Sequence, residues 1–276
     1  DQDTGTNQGI AKEQTTIIDT VEYTNVNPGT EYTIKGVLMN KETGEPLLVD
    51  GKQVTAEKTF TPEASEGSIE LAFTFDSSAL KGNAVVVFES LYEGEIEAAV
   101  HADINDEGQT VEFPEHKIHT TAIDKDTGKH QGIAKEQTTI VDTVDYTGLI
   151  PGLEYTLKGE LMRKDTGEVF EVNGEPVTAE KTFTAETSEG SIDLEFTFDS
   201  SALKGDAVVV FEHLYAQETE VAAHTDLTDE GQTVEFPKHE IHTTAKDKET
   251  GTQQGIAKKD VTIVDTVKYT GLIPGQ

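Results

Sequence analysis

Cysteine is absent from the 276 residues, so neither a disulfide nor a thiolate-bound metal can hold the fold together. Basic residues are scarce: 21 Lys and Arg stand against 53 Asp and Glu, a formal net charge of −32. That excess argues against nucleic acid and anionic membrane surfaces as partners, because both require basic patches. No apolar run is long enough to cross a bilayer, so no membrane insertion is expected in this segment, and no signal peptide opens the chain. The beginning, Asp1-Gln2-Asp3, reads as a cut inside a larger protein. A metal-binding histidine motif and a nucleophile-elbow motif are also missing, which argues against a hydrolase and implies no cofactor. Leucines are few, whereas 24 glycines and many Thr, Val and Ile favour strands and turns over helices.

What is present is repeated. Gly9-Ile10-Ala11-Lys12-Glu13-Gln14-Thr15-Thr16-Ile17 returns at Gly132–Ile140 and again, drifted, at Gly255–Ile263. The step is 123 residues each time (132 − 9 and 255 − 132), too long for a solenoid repeat and suited to a whole domain. The expected domains are residues 1–116, a repeat lacking its first strand; 117–239, a complete repeat; and 240–276, the start of a third. Boundaries fall at Phe113-Pro114-Glu115-His116 and Phe236-Pro237-Lys238-His239, where proline ends a strand and a new strand follows within a few residues. Linkers that short predict a stiff row of beads.

Within the complete repeat, apolar and polar residues alternate. Tyr155, Leu157, Gly159 and Leu161 oppose Glu154, Thr156, Lys158 and Glu160, and Ile192, Leu194, Phe196 and Phe198 oppose Asp193, Glu195 and Thr197. Ala207–Phe211 is apolar on both faces, as a central strand is, and Asp199–Leu203 suits a single helical turn. Asp165-Thr166-Gly167, Asn173-Gly174, Ser188-Glu189-Gly190 and Lys204-Gly205-Asp206 supply turns. The predicted fold is all-β: tandem antiparallel β-sandwich domains, immunoglobulin-like in the broad sense.

The same parity puts polar side chains on the apolar face. Thr120 lies with Ile118 and Ala122, away from His119 and Thr121. Asp142 lies with Ile140, Val144 and Tyr146, away from Thr143 and Asp145. Glu212 lies with Val208, Val210 and Leu214. Gln232 lies with Val234 and Phe236, away from Thr233 and Glu235, and follows His224 by eight positions, as Gln109 follows His101. An amide, a hydroxyl and two carboxyls aimed inward are costly unless they meet. Together they suit one reaction. A neighbouring base takes the threonine proton, the hydroxyl attacks the glutamine side chain, and ammonia leaves. One buried carboxyl holds a proton while the other accepts one, and histidine assists the proton transfer or the developing oxyanion. Each domain reacts once, so it is its own substrate and no turnover enzyme.

These residues resemble the VaFE-type repeats, the Thr–Gln ester-bond domains in the surface-adhesin stalks of Gram-positive bacteria. The resemblance runs through His119-Thr120-Thr121-Ala122, Val141-Asp142-Thr143-Val144, Val210-Phe211-Glu212 and His224 eight positions before Gln232. It implies an ester between Thr120 and Gln232, assisted by Asp142, Glu212 and His224, joining first and last strands. The incomplete repeats carry parts of the set: Asp19, Glu89, His101 and Gln109 in the first, Thr243 and Asp265 in the third. It further implies an extracellular, cell-surface or cell-wall-anchored protein whose partners are neighbouring repeats or adjoining copies in a fibre. A stalk with Lys–Asn isopeptide bonds is the rival reading, but Asn83 becomes Asp206 and Asn105 becomes Thr228 one repeat later. A ligand-binding adhesive module needs an aromatic or cationic loop cluster, and these loops are acidic and glycine-rich. Asp124-Lys125-Asp126-Thr127-Gly128 lacks the downstream glutamate of a calcium loop.

Overall fold

The computed structural model describes residues 1–276 and contains strands and two single 3₁₀ turns, Ser78–Leu80 and Ser201–Leu203, with no α-helix. The first repeat comprises β1 (Thr15–Thr24), β2 (Tyr32–Asn40), β3 (Leu48–Val49), β4 (Lys52–Gln53), β5 (Thr55–Phe60), β6 (Glu66–Phe75), β7 (Asn83–Glu93), β8 (Ile96–His101) and β9 (Thr110–Phe113). Ten strands make the second: β10 (Lys117–Asp124), β11 (Thr138–Thr147), β12 (Glu154–Arg163), β13 (Glu171–Val172), β14 (Glu175–Pro176), β15 (Thr178–Thr184), β16 (Glu189–Phe198), β17 (Ala207–Ala216), β18 (Thr219–His224) and β19 (Thr233–Glu235). The chain closes on a hairpin of β20 (Glu240–Asp247) and β21 (Ile263–Thr270).

In the second repeat, an antiparallel sheet ordered β10-β11-β16 faces another ordered β15-β12-β17-β18, with β19 also pairing with β17. The inward residues of both sheets bury a continuous core including Ile140, Tyr155, Leu157, Leu161, Phe196, Val208, Val210 and Phe236. Their period-two spacing makes this a β-sandwich, each strand placing every second side chain inside. The first repeat forms the same large sheet, β5-β2-β7-β8 with β9 on β7, but its smaller sheet is only β1-β6. The outer edge of β1, to which a counterpart of β10 would pair, therefore has no strand on it.

Gly159 shows how tightly the faces meet: a Cβ there would lie 2.5 Å from Phe196 and 2.6 Å from Leu194. Thr233, assigned by alternation to the outer face, is buried as well. Its hydroxyl donates to Asp229 O at 2.6 Å and accepts from Lys164 Nζ at 2.7 Å, so a long side chain from just past the end of β12, two strands away, covers it.

The junction between the first two repeats is packed. His116 is buried against Tyr155, ring centroids 5.7 Å apart. Its Nδ1 donates to Pro114 O at 3.1 Å, and its Nε2 accepts from the Tyr155 hydroxyl at 3.0 Å, which itself accepts from Ile150 N at 2.9 Å. Gly148, at φ +77°, lets the linker pass: a Cβ there would sit 2.2 Å from Glu115 O.

Candidate functional site

The candidate site of the second repeat lies where the free edge of β10 meets the other sheet. Thr120 sits opposite Val144 in the β10–β11 register, and Asp142 sits opposite Ala122, so the two inward side chains are diagonal neighbours. Glu212 and His224 face each other across β17 and β18. Gln232 enters just ahead of β19, and its position is tied to the opening strand by a backbone bond from Ala122 N to Gly231 O at 2.9 Å. Thr120 is 1% exposed, and Asp142, Glu212 and Gln232 are 0% exposed.

Three of these side chains form a triangle. Gln232 Nε2 lies 2.5 Å from Thr120 Oγ1 and donates to Glu212 Oε2 at 2.6 Å, and the Thr120 hydroxyl donates to the same oxygen at 3.3 Å. The second oxygen of Glu212 and both oxygens of Asp142 are buried without a partner when both groups are drawn as carboxylates. One proton between them pairs the free Glu212 oxygen with one oxygen of Asp142 and relieves most of that conflict. Burial first, then the hydrogen bond and charge of Asp142, pushes Glu212 up to about 11, so Glu212 holds the proton at neutral pH. Burial also raises Asp142, but the neighbouring Glu212 acid and then His224 favour its charged form. The pair is therefore one proton donor beside the amide nitrogen, Glu212, and one acceptor, Asp142, diagonal to Thr120 on the adjoining strand.

Alternation along strands did not reveal Asp229. It sits in the loop between His224 and Gln232, its Oδ2 3.0 Å from His224 Nε2 and its Oδ1 accepting from Gly231 N at 2.7 Å. This leaves His224 Nδ1 as the buried nitrogen without a partner. The signal lay in the repeat: Asp106 follows His101 by the same five positions (106 − 101 and 229 − 224), and its carboxylate is also 3.0 Å from the histidine.

The first repeat assembles the remaining members in an open cleft. Gln109 Nε2 donates to Glu89 Oε2 at 2.6 Å, and Asp19 and His101 line the same cleft. Burial, then the charge and hydrogen bond of Asp19, pushes Glu89 up to about 8. Asp19 Oδ2, Glu89 Oε1 and Gln109 Oε1 have no partner. No threonine meets Gln109 as Thr120 meets Gln232. In the final hairpin Thr243 and Asp265 keep the register of their counterparts, with Thr243 opposite Val267 and Ala245 opposite Asp265, but both are exposed and no Glu or Gln joins them.

The residues of the rival cross-link do not converge on a buried lysine. Asn83 donates to Lys81 O at 3.2 Å, and Asn105 is exposed in a loop. Asp124 is occupied locally, its Oδ1 accepting from Thr127 N at 2.9 Å and Asp126 N at 3.2 Å to close a turn.

Among solved structures, the chain is similar to a bacterial adhesin from Mobiluncus mulieris that contains intramolecular disulfide, isopeptide and ester bond cross-links. They share 15% identity over 56% of this chain and 76% of that one, with a TM-score of 0.40. A putative beta-galactosidase from Bacteroides fragilis is similar at 11% identity over 78% of this chain and 32% of that one, with a TM-score of 0.31. No curated protein matches the sequence. A model of the family described as "T-Q ester bond containing domain" matches residues 1–113, 116–236 and 239–276, almost the entire length. With that match and a buried threonine against a buried glutamine, the chain belongs to the family of T-Q ester bond containing domains.

Proposed function

We propose that this chain is a stalk segment of an extracellular adhesin or fibre on a bacterial cell surface, whose complete repeat locks itself by an ester between Thr120 and Gln232. The observation that carries the reading is the buried contact of the Thr120 hydroxyl, the Gln232 amide and Glu212. Thr120 Oγ1 attacks Gln232 Cδ as its proton passes to Asp142. The amide carbonyl becomes a tetrahedral oxyanion, which His224, held through Nε2 by Asp229, stabilises or serves by proton transfer. Glu212 gives its proton to the nitrogen 2.6 Å away, the C–N bond breaks, and ammonia leaves. The proton on Asp142 then returns to Glu212, so both carboxyls end as they began. Each repeat reacts once and turns nothing over.

In this reading Asp19, Glu89, His101 and Gln109 wait for a threonine on a strand that pairs with β1, and Thr243 and Asp265 form the start of another such site. The strands that complete them belong to neighbouring repeats of the parent protein or to an adjoining copy in a fibre. Gram-positive origin and cell-wall anchoring belong to the same proposal.

Intact-mass measurement tests it. The 276-residue chain should weigh less than its sequence by one ammonia, Thr120→Ala should restore the full mass, and hydroxylamine should open the link where an isopeptide would survive. A wild-type chain of full sequence mass ends the reading.

A further inference from the structure

The same groups that form an ester are able to hydrolyse it, because water can take the place of the threonine hydroxyl beside the same histidine. An ester that lasts therefore needs a barrier to water at the site. Thr120, Asp142, Glu212 and Gln232 are already sealed inside. His224 is the member of the set that reaches solvent, its side chain 17% exposed. The ring lying over it belongs to His119, which alternation turns outward on β10 next to Thr120. The two imidazoles are stacked, 5.6 Å between centroids with 29° between planes.

We propose that His119 is a positioning residue that closes the ester site: its ring covers His224, holds that ring against Asp229, and keeps water from the ester. The inference rests on the ester reading above. Three observations carry it. First, β10 and β18 are the neighbouring edge strands of the two sheets, and the stacked rings of His119 and His224 bridge the seam between them. Second, Asp229 fixes His224 through one nitrogen, which leaves rotation of the ring about that contact to be limited by whatever packs on its face. Third, the first repeat holds the same His–Asp pair at the same 3.0 Å but has no ring stacked on it, and the His101 side chain is 56% exposed. The His–Asp contact alone therefore does not bury the histidine. The opening strand does, and His119 is its point of contact with the ring.

A stacked neighbour needs a flat ring and no ionisable nitrogen, which separates shielding from chemistry by His119 itself. The test uses the full chain as wild type, His119→Ala and His119→Phe. Mass spectrometry follows the loss of ammonia and then, in the linked protein, the return of one water that leaves a glutamate side chain at position 232. The carbon-bound ring protons of His224, followed by NMR, report the ring current of the residue stacked on them. Wild type and His119→Phe should form the ester, keep it and show the shifted His224 signals. His119→Ala should lose those shifts and hydrolyse about tenfold faster. Equal persistence in wild type and His119→Ala overturns the proposal, as does rapid hydrolysis in His119→Phe, which would assign the effect to the imidazole nitrogens. A wild-type chain that never loses ammonia removes the ester reading itself, a result distinct from either.

Discussion

At the scale of single residues the site depends on one proton held by two carboxyls. Glu212, pushed up to about 11 mainly by burial, binds a proton in the folded chain that it releases at ordinary carboxylate pH when unfolded. Its folded pKa lies above its unfolded one, so its stabilising effect is complete below the unfolded value of 4.5 and is lost as pH rises from there toward about 11. Glu89, at about 8, acts in the same direction in the first repeat. Thr120→Ala keeps Glu212 but cannot close the ester, and its melting temperature should fall steadily between about pH 5 and pH 8. Adding Glu212→Gln should flatten much of that slope, because an amide has no proton to lose. Identical slopes in a calorimeter would show that the carboxyl is not the buried acid described here. Such a residue was partly legible in the sequence. Alternation aimed Thr120, Asp142, Glu212 and Gln232 inward, and all four are buried. Asp229 was not legible that way, because a loop has no periodicity to violate; only its recurrence five residues after each histidine marked it. Nor does an inward hydroxyl identify a reactive one. Thr138 Oγ1 and Ser200 Oγ are as buried as Thr120, but at 2.6 Å they satisfy each other, and no carboxyl or side-chain amide joins them.

At the scale of strands, the site requires registers to hold to a single residue, since a slip of one turns every inward group to solvent. Gly159 is a sensitive point. It pairs with Glu212 across β12 and β17, and its bare Cα lies under Phe196 and Leu194. Gly159→Ala should cost about 1–3 kcal/mol, the usual effect of overpacking a fitted core. Measured as the denaturant midpoint in the Thr120→Ala background, an unchanged value would show that Phe196 moves aside freely. Runs such as Tyr155–Leu161 and Ile192–Phe198 made these strands readable, because each buries one face only. The small hairpin β13–β14 was marked only by its turn, and the burial of Thr233 under Lys164 was hidden, because a side chain two strands away covers it. The final hairpin shows what β20 and β21 are without the other strands: Ile241, Ile263, Val267 and Tyr269 are all exposed, although the equivalent face in the second repeat is core.

At the scale of the molecule, Thr120 and Gln232 are 112 residues apart in sequence and in contact in space. In the chain-entropy model used for disulfides, closing a loop of that size is worth about 4–5 kcal/mol, before any strain. The mechanical effect of an ester there is larger: tension entering through β10 would leave near β19 without peeling the sheets between them. Tandem copies pulled in a force spectrometer should give no domain-length unfolding steps, and replacing each ester threonine with alanine should restore them. Equal steps in both arrays would exclude a load-bearing cross-link. The period of 123 residues made the tandem plan readable, but no sequence pattern announced how adjoining units meet, because His116 reads as a linker residue until Tyr155 is placed beside it. That joint recurs. The close approach of Glu115 O to Gly148 is reproduced by Lys238 O at Gly271, with a Cβ clearance of 2.2 Å at both. Were every unit set against its neighbour in one such way, each would be related to the next by the same rotation and the same advance, which is a screw. In a longer row, therefore, a given surface patch would not face one direction but would wind around the axis with constant pitch, and counting units would fix both how far along the row a feature stands and which way it points.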